Sequence, residues 1–342
     1  MSDRRSFIRN TGVLALSSIV FKGNALSEFY ISDMKRIKPK ALKAGDTIAI
    51  TSPAGAVWDD AQIETFSNIL KGFGFNIILG KTLKEKHGYF AGTDEVRAKE
   101  LNDLFANKKV KGIFCMKGGW GCARLLDKLN YSIIKENPKV LIGFSDITTL
   151  LLAITTKTGL ITYHGPVGNS GWNDFTKNSF INVIQNAKPY TFEANPSNED
   201  TILTINSGKA SGELFGGNLT VLSSIIGSGY LPDWKGKILF LEEAKEEPYS
   251  IDRMLTQLKL SGILDSINGI VFGKCAKCLA EEPHKSFTLN EVLLQHFKPL
   301  KIPVFFGAMI GHIENKLTVP LGINASIDAD KGTISLLESS VY

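Results

Sequence analysis

The stretch KVLIGFSDITTLLLAI, residues 139–154, runs from one apolar segment through Gly143-Phe144-Ser145-Asp146 into a second. Its first part predicts a buried strand and its last part a buried helix. The polar pair between them has two interpretations: Ser145 or Asp146 caps the helix, or Ser145 is exposed on a strand-to-helix turn as a nucleophile. The usual nucleophile pattern is G-x-S-x-G, and Ile147 replaces its second glycine. Taken alone, the stretch favours the helix cap.

Strands and helices alternate on both sides of this stretch, which implies right-handed crossovers and a parallel sheet. A segment rich in Pro and Asn, 187–200, interrupts the alternation, and we place a domain boundary there. We therefore predict an α/β domain over 26–190 and a smaller mixed α+β domain over 201–342. The first domain has predicted strands at 46–52, 76–80, 110–116, 140–144 and 160–166, and predicted helices at 59–72, 93–107, 123–128 and from Ile147. In the second domain, strands are predicted at 202–206, 211–217, 237–243 and 267–273, helices at 218–227 and 250–260, and antiparallel strands over 315–339.

The first 25 residues have the layout of a secretory signal peptide. A basic segment with Arg4-Arg5 is followed by an apolar stretch from Thr11 to Phe21 and by small residues. Paired arginines before a phenylalanine resemble the twin-arginine export signal, so we expect cleavage near Ala25 and a periplasmic protein. The alternative is a frayed amphipathic first helix, in which case the protein is cytoplasmic.

Composition restricts the partners. The chain of 342 residues has a net charge of +5, of which residues 1–25 contribute +3 (four basic residues and one acidic), leaving +2 for the rest. A nearly balanced charge gives no electrostatic reason to expect nucleic acid or an anionic membrane. No apolar run reaches 18 residues, so no membrane span is predicted in the mature chain.

Cys275 and Cys278 could close a small disulfide, although structural thiols are the preferred interpretation. No metal or organic cofactor is predicted.

Several unusual polar stretches follow the predicted strands, where open parallel sheets bind ligands. They are SPAG at 52–55, KGGWG at 117–121, GFSD at 143–146 and HGP at 164–166. KGGWG lacks the spacing of a dinucleotide or phosphate loop, so we favour backbone amides that stabilise an oxyanion. A nucleophilic serine also needs a histidine base and an orienting carboxylate. His312 lies just beyond a predicted strand, and Glu242 and Glu243 end the apolar strand KILFL.

Taken together, these motifs resemble the serine LD-carboxypeptidases of murein turnover, a family that includes the microcin C self-immunity proteins. The resemblance extends in family order over nearly the whole mature chain. The matching stretches are YFAGTDEVRAKELNDLF (89–105), GIFCMKGGWGCARLLDKL (112–129), IGFSDITTLL (142–151), YHGP (163–166), FGGNLTVL (215–222), ILFLEEAKEEPYSIDRMLTQL (238–258) and GHIENKLTVPLG (311–322).

The resemblance implies a flavodoxin-like N-terminal domain and a catalytic triad divided between the two domains. Ser145 would be the nucleophile, His312 the general base and Glu242 the acid that orients it. The backbone amides of Gly119 and Asp146 would form the oxyanion hole. Asn218, Lys117 and His164 are candidates for binding the terminal carboxylate of the substrate. Asn218 could equally cap the following helix, His164 could be packed, and Lys117 departs from the arginine common in the family, as Trp120 departs from its tyrosine.

The implied activity is release of the terminal D-Ala from murein tetrapeptides through an acyl-enzyme. A related serine amidase acting on another peptide or an acyl-adenylate-like substrate is the alternative, and for it Trp172 could stack on an aromatic ligand, although a buried anchor is preferred. A third possibility, an exported binding protein without the chemistry, is disfavoured by the intact triad. A homodimer is expected from the family.

Overall fold

The computed structural model describes residues 35–193 and 202–342. The predicted signal peptide and its cleavage near Ala25 lie outside the described residues, as do residues 194–200 of the predicted boundary at 187–200. The division at that boundary therefore stays a prediction. Among the described residues, no helix is both long enough and apolar enough to cross a bilayer.

The first sheet has the strand order of a flavodoxin-like domain. Its strands are β1 (Thr47–Thr51), β2 (Asn76–Leu79), β3 (Val110–Cys115), β4 (Val140–Gly143) and β5 (Thr162–His164). They lie in the order 2-1-3-4-5 and all pair in parallel. The parallel sheet that the alternating pattern predicted is confirmed, and this strand order is that of the flavodoxin-like fold that the resemblance implied.

A short strand from the C-terminal part of the chain completes this sheet. Strand β12 (Val319–Leu321) pairs antiparallel with β5, and Val319 lies opposite His164. The antiparallel character predicted for 315–339 is thus correct, but the first of these strands belongs to the N-terminal sheet. The loop that carries His312 therefore ends in the sheet that carries Ser145.

The second sheet is mixed and has eight strands among the described residues. They are β6 (Thr191–Phe192), β7 (Leu203–Asn206), β8 (Lys209–Asn218), β9 (Ile238–Ala244), β10 (Gly269–Ala276), β11 (Val304–Ala308), β13 (Ile323–Asp328) and β14 (Thr333–Leu336). Strands β8 to β11 run parallel, whereas β7 and the β13, β14 and β6 edge are antiparallel. This agrees with the predicted mixed α+β character.

The helices lie between and around the strands. They are α1 (Asp60–Gly72), α2 (Asp94–Ala106), α3 (Tyr131–Glu136), α4 (Thr148–Thr158), α5 (Asp174–Phe180), α6 (Leu219–Ser224), α7 (Pro248–Leu260), α8 (Ile263–Ser266) and α9 (Leu289–Phe297). The predicted N-cap of α2 is confirmed, because the Thr93 side chain accepts from the Val96 amide. The helix predicted at 123–128 is wrong: the chain forms a 3-10 turn over Cys122–Leu125 directly after the left-handed Gly121, and the nearest α-helix is α3.

Helix α4 explains why the second part of the opening stretch is rich in apolar residues. Nine of its 11 residues are buried, because β4 and β5 of the first sheet contact it together with β8 and α6 of the second half. A helix covered on several sides needs apolar residues all round. The turn that begins at Ser145 therefore lies where the two sheets approach each other.

Candidate active site

Ser145 lies on a strained turn between β4 and α4. Its φ is +63°, in the left-handed region that non-glycine residues rarely adopt. Gly143 makes this turn possible, because a Cβ there would lie 2.7 Å from the Ile147 side chain. The first glycine of the nucleophile pattern thus relieves the crowding, and Ile147 occupies the space it leaves. The strained backbone is what a nucleophile elbow requires.

Asp146 does not cap the helix, contrary to one of our interpretations. Its side chain is buried, and Oδ2 accepts a hydrogen bond from the Cys122 amide at 2.8 Å. Helix α4 has no side-chain cap. Burial, the largest influence, raises the pKa of Asp146 despite its hydrogen bonds with Cys122 and the charge of Arg97. The carboxyl group therefore fixes the glycine-rich loop to the turn that contains Ser145.

The glycine-rich loop after β3 leaves space beside Ser145. A Cβ on Gly118 would lie 2.8 Å from Cβ and 3.0 Å from Oγ of Ser145, and 3.3 Å from the Asp146 backbone nitrogen. Gly119 has a φ of +119°, and a Cβ there would lie 3.3 Å from Gly55. Side chains at either position would fill or displace this region. The space beside the Ser145 hydroxyl and the Asp146 amide is where an oxyanion would have to be stabilised.

His312 and Glu242 form a buried hydrogen-bonded pair. The His312 Nδ1 lies 2.8 Å from Glu242 Oε2, in a pair whose carboxylate is fully buried and whose imidazole is 30% exposed. Gly311 permits this approach, because its φ is +134° and a Cβ there would lie 3.2 Å from Glu242 Oε2. The His312 ring also meets the ring of Phe144 edge-on, with centroids 4.7 Å apart. Since Phe144 precedes Ser145, this contact brings the imidazole next to the turn that contains Ser145.

The electrostatics keep Glu242 ionised. Burial alone favours the protonated acid, but the hydrogen bond from His312 and the charges of His312 and His164 outweigh it, so the pKa of Glu242 is below its ordinary value. Glu242 Oε1 has no hydrogen-bond partner among residues 35–193 and 202–342. A buried carboxylate committed to one imidazole nitrogen can fix its tautomer and stabilise its cation.

Two family models match the chain. The LD-carboxypeptidase N-terminal domain matches residues 48–165, and the LD-carboxypeptidase C-terminal domain matches residues 211–327. Together they cover more than half of the chain. The protein belongs to the LD-carboxypeptidase family. Membership in this family indicates that the protein is a peptidase, and therefore a hydrolase. It agrees with the resemblance that the sequence motifs showed.

Relatives within this family have two kinds of names. A Bacillus subtilis protein named "Probable murein peptide carboxypeptidase" is 38% identical over 310 residues, which cover 89% of this chain and 95% of the relative. The Escherichia coli microcin C7 self-immunity protein is 33% identical over 329 residues, covering 87% and 94% respectively. The structure of a microcin C7 self-immunity protein in complex with aspartyl sulfamoyl adenosine has a TM-score of 0.83 at 30% identity, covering 90% of this chain and all of that one.

The predicted carboxylate-binding residues of this family member have other contacts. Lys117 Nζ donates to the Ala56 carbonyl at 3.2 Å. Asn218 caps α6 through the Val221 amide and donates Nδ2 to Glu243 Oε1 at 3.1 Å. His164 is 2% exposed, and its ring lies between those of Phe144 and Phe240. Substrate contact by these three stays a prediction, whereas the alternatives of a cap for Asn218 and a packed side chain for His164 are confirmed.

Trp172 and the cysteine pair have the structural roles that we preferred from the sequence. Trp172 is buried and donates Nε1 to the Val167 carbonyl at 3.1 Å, which confirms the anchor interpretation. Cys275 and Cys278 are free thiols, as the preferred interpretation held. Within the described residues, no group of three His, Cys, Asp or Glu side chains could hold a metal ion.

Arg97 is a residue of the site that motif reasoning missed. Its guanidinium group is fully buried and donates to carbonyls of three loops, at Pro53 (2.6 Å), Gly121 (3.1 Å) and Gly92 (3.2 Å), while Asp94 balances its charge. These bonds fix the loops after β1 and β3 against α2. An arginine on the otherwise apolar face of α2, next to Ala98 and Leu101, was the signal in the sequence.

His164 should make stability depend on pH. Burial, the largest influence, and the positive charges of His312 and Lys316 outweigh Glu242 and lower the pKa of His164 to about 4, from an ordinary 6.5. The unfolded chain therefore binds a proton that the folded chain excludes, and stability should fall by about 3 kcal/mol as pH drops from 6.5 to 4. We expect His164→Leu to remove this contribution to the fall of the unfolding free energy with pH, as measured by urea unfolding between pH 7 and pH 4.5. The exposed His284→Gln is the control and should keep it; an unchanged slope in His164→Leu would contradict the assignment.

Proposed function

We propose that this protein is a serine LD-carboxypeptidase that releases the terminal D-Ala from murein tetrapeptides. The observation that carries the proposal is the 2.8 Å bond between His312 Nδ1 and buried Glu242, on an imidazole that packs against the residue preceding the strained Ser145. The family models and the name of the Bacillus subtilis relative support the reaction class.

The chemistry would be acyl transfer. Ser145 Oγ attacks the carbonyl at the L-centre of diaminopimelate (or of Lys), and His312 Nε2 takes the hydroxyl proton. The amides of Gly119 and Asp146 stabilise the oxyanion, and Glu242 stabilises the imidazolium without taking its proton. His312 then protonates the leaving amine of D-Ala. Water, activated by the same imidazole, hydrolyses the ester on Ser145 and regenerates the hydroxyl group.

The direct test is to incubate the purified protein with L-Ala-D-Glu-meso-diaminopimelate-D-Ala and follow D-Ala release by mass spectrometry. We expect stoichiometric tripeptide and D-Ala. Unchanged tetrapeptide would refute the proposal.

A second candidate is a serine amidase acting on an acyl-adenylate-like substrate. The similarity to the microcin C7 self-immunity protein, whose structure contains aspartyl sulfamoyl adenosine, supports this candidate. Such an activity would use the same three residues. Turnover of an acyl-adenylate analogue, together with inert tetrapeptide, would favour it over the first proposal.

We also propose that residues 1–25 export the enzyme to the periplasm, where it would trim or salvage murein peptides. The paired arginines, the apolar stretch and the small residues near Ala25 support this proposal. Cell fractionation with an antibody tests it: protein confined to the cytoplasm with Met1 retained would refute it.

A further inference from the structure

Lys316 places a buried ammonium group against Phe144, the residue that precedes Ser145. It lies four residues after His312 in the loop between β11 and β12 and is 6% exposed. Its Nζ lies over the face of the Phe144 ring, 5.0 Å from the centroid. The same ring meets His312 edge-on at 4.7 Å and directly precedes Ser145. The ammonium and the imidazole therefore share one aromatic neighbour at the site.

Helix α5 fixes the loop that carries Lys316. The Lys316 amide donates to Thr176 Oγ1 at 3.1 Å, and the Thr318 amide donates to Ser179 Oγ at 2.9 Å. Asn173 Nδ2 donates to Asn315 Oδ1 at 2.6 Å. Two side chains of α5 and the Asn173 side chain just before it thus fix the loop on both sides of Lys316, so the backbone that carries the buried ammonium group is held in place before a substrate arrives.

The ammonium group of Lys316 has no acceptor among the described residues. Within residues 35–193 and 202–342, its Nζ makes no hydrogen bond and no ion pair. Glu242 and Glu314 act on it only through space, and Glu242 is bound to His312. Burial lowers the pKa of Lys316 to about 8, so the group is mostly charged at neutral pH. A buried cation without an acceptor is costly, and an anion that arrives with the substrate would compensate.

Another buried lysine shows what a structural role requires. Lys139 is 5% exposed, and burial likewise lowers its pKa to about 8. Its Nζ, however, donates to the carbonyls of Asn107 at 2.9 Å and Val110 at 2.8 Å. Lys139 lies just before β4 and Ser145 just after it, so the two are at opposite ends of this strand. Burial alone therefore does not leave a lysine without acceptors in this fold.

We propose that Lys316 binds the terminal α-carboxylate of the peptide substrate and so restricts the enzyme to removing a single C-terminal residue. The inference rests on the proposed carboxypeptidase function. In such a substrate, three covalent bonds separate the scissile carbonyl carbon from the carboxylate carbon, so the two lie at most about 4 Å apart. A cation that recognises this carboxylate must therefore lie near the nucleophile, and Lys316 contacts the Phe144 ring that His312 also contacts. A peptide that ends in an amide has no charge at the position of this carboxylate.

The test compares the tetrapeptide with its C-terminal amide, L-Ala-D-Glu-meso-diaminopimelate-D-Ala-NH₂. We expect wild-type kcat/KM to favour the free acid by about 10–100-fold, the value of one charge-assisted hydrogen bond. Lys316→Met should abolish this preference by lowering kcat/KM for the acid while leaving the amide nearly unchanged. Lys139→Met removes the other buried lysine and should keep the preference. If Lys316→Met fails to fold, as judged by circular dichroism, Lys316→Gln replaces it in the same comparison.

Calorimetry separates failure of this inference from failure of the proposed function. The unreactive Ser145→Ala protein should bind the acid more tightly than the amide, and adding Lys316→Met should remove the difference. Wild-type turnover with an unchanged acid preference in Lys316→Met would overturn the role of Lys316 and leave the carboxypeptidase standing. Absence of both turnover and binding of either peptide would overturn both.

Discussion

Replacing Ser145 with alanine should lower kcat for D-Ala release by about 10⁵–10⁶-fold, the usual cost of removing a nucleophile from a triad. The variant keeps the imidazole and the space beside Gly118, so a small residual rate can persist. The variant should still bind the tetrapeptide, because the substitution removes only the hydroxyl oxygen of Ser145. Alanine has a Cβ as serine has, so it meets the same backbone strain at the φ of +63° that this position requires. The fold should therefore be unchanged.

The measurement needs a control serine and a stability readout. Ser132→Ala, at an exposed position of α3, should keep full activity, and both variants should unfold at the wild-type temperature. Incubation with a fluorophosphonate should label wild type and Ser132→Ala but not Ser145→Ala. If Ser145→Ala retained more than about a tenth of the wild-type rate, the serine mechanism would have to be abandoned.

Much of the first sheet could be predicted because its strands are short, apolar and separated by amphipathic helices. That pattern predicts a parallel doubly wound sheet almost regardless of detail. Strand β12 could not be placed in the same way. It has three residues and pairs with β5, about 150 residues earlier in the chain. Hydrophobic periodicity carries no information about which distant edge such a short strand will complete.

The residues of the site likewise include some that the sequence could predict and some that it could not. Ser145, Glu242 and His312 could be selected because each lies in a motif whose order matches the family. Lys316 lies in the same motif as His312, yet its importance depends on Phe144 and α5, which remove it from water without supplying an acceptor. Arg97 acts through three carbonyls in separate loops. Neither property is local in sequence, so neither could be predicted from spacing.

The cap interpretation of Asp146 failed for a related reason. A polar residue at the start of a helix can cap it, and sequence alone favours that role. Here the Cys122 amide competes successfully for the carboxylate, because the loop after β3 packs directly against the nucleophile turn. The prediction therefore failed on a tertiary contact rather than on helix propensity.

Replacing Glu242 with glutamine should lower kcat by about 10⁴-fold with little change in the shape of the site. At present the carboxylate accepts the proton that His312 carries on Nδ1, which leaves Nε2 free to take the proton of Ser145. An amide can instead present its NH₂ group to Nδ1, and the imidazole proton then moves to Nε2. The imidazolium formed during attack also loses its negative neighbour. Both the His312 tautomer that carries its proton on Nδ1 and the His312 cation are therefore disfavoured.

Glu243→Gln is the matched control, since Glu243 is the next residue of the same strand and is also buried. Its carboxylate binds Asn218, Thr220 and the Ala244 amide instead of a histidine. The control should therefore cost stability while holding kcat within about tenfold of wild type. Single-turnover D-Ala release, with unfolding temperatures for both variants, separates the two roles. Equal losses of kcat in the two variants would mean that Glu242 supports the fold rather than the base, because Glu242 binds His312 and Glu243 does not.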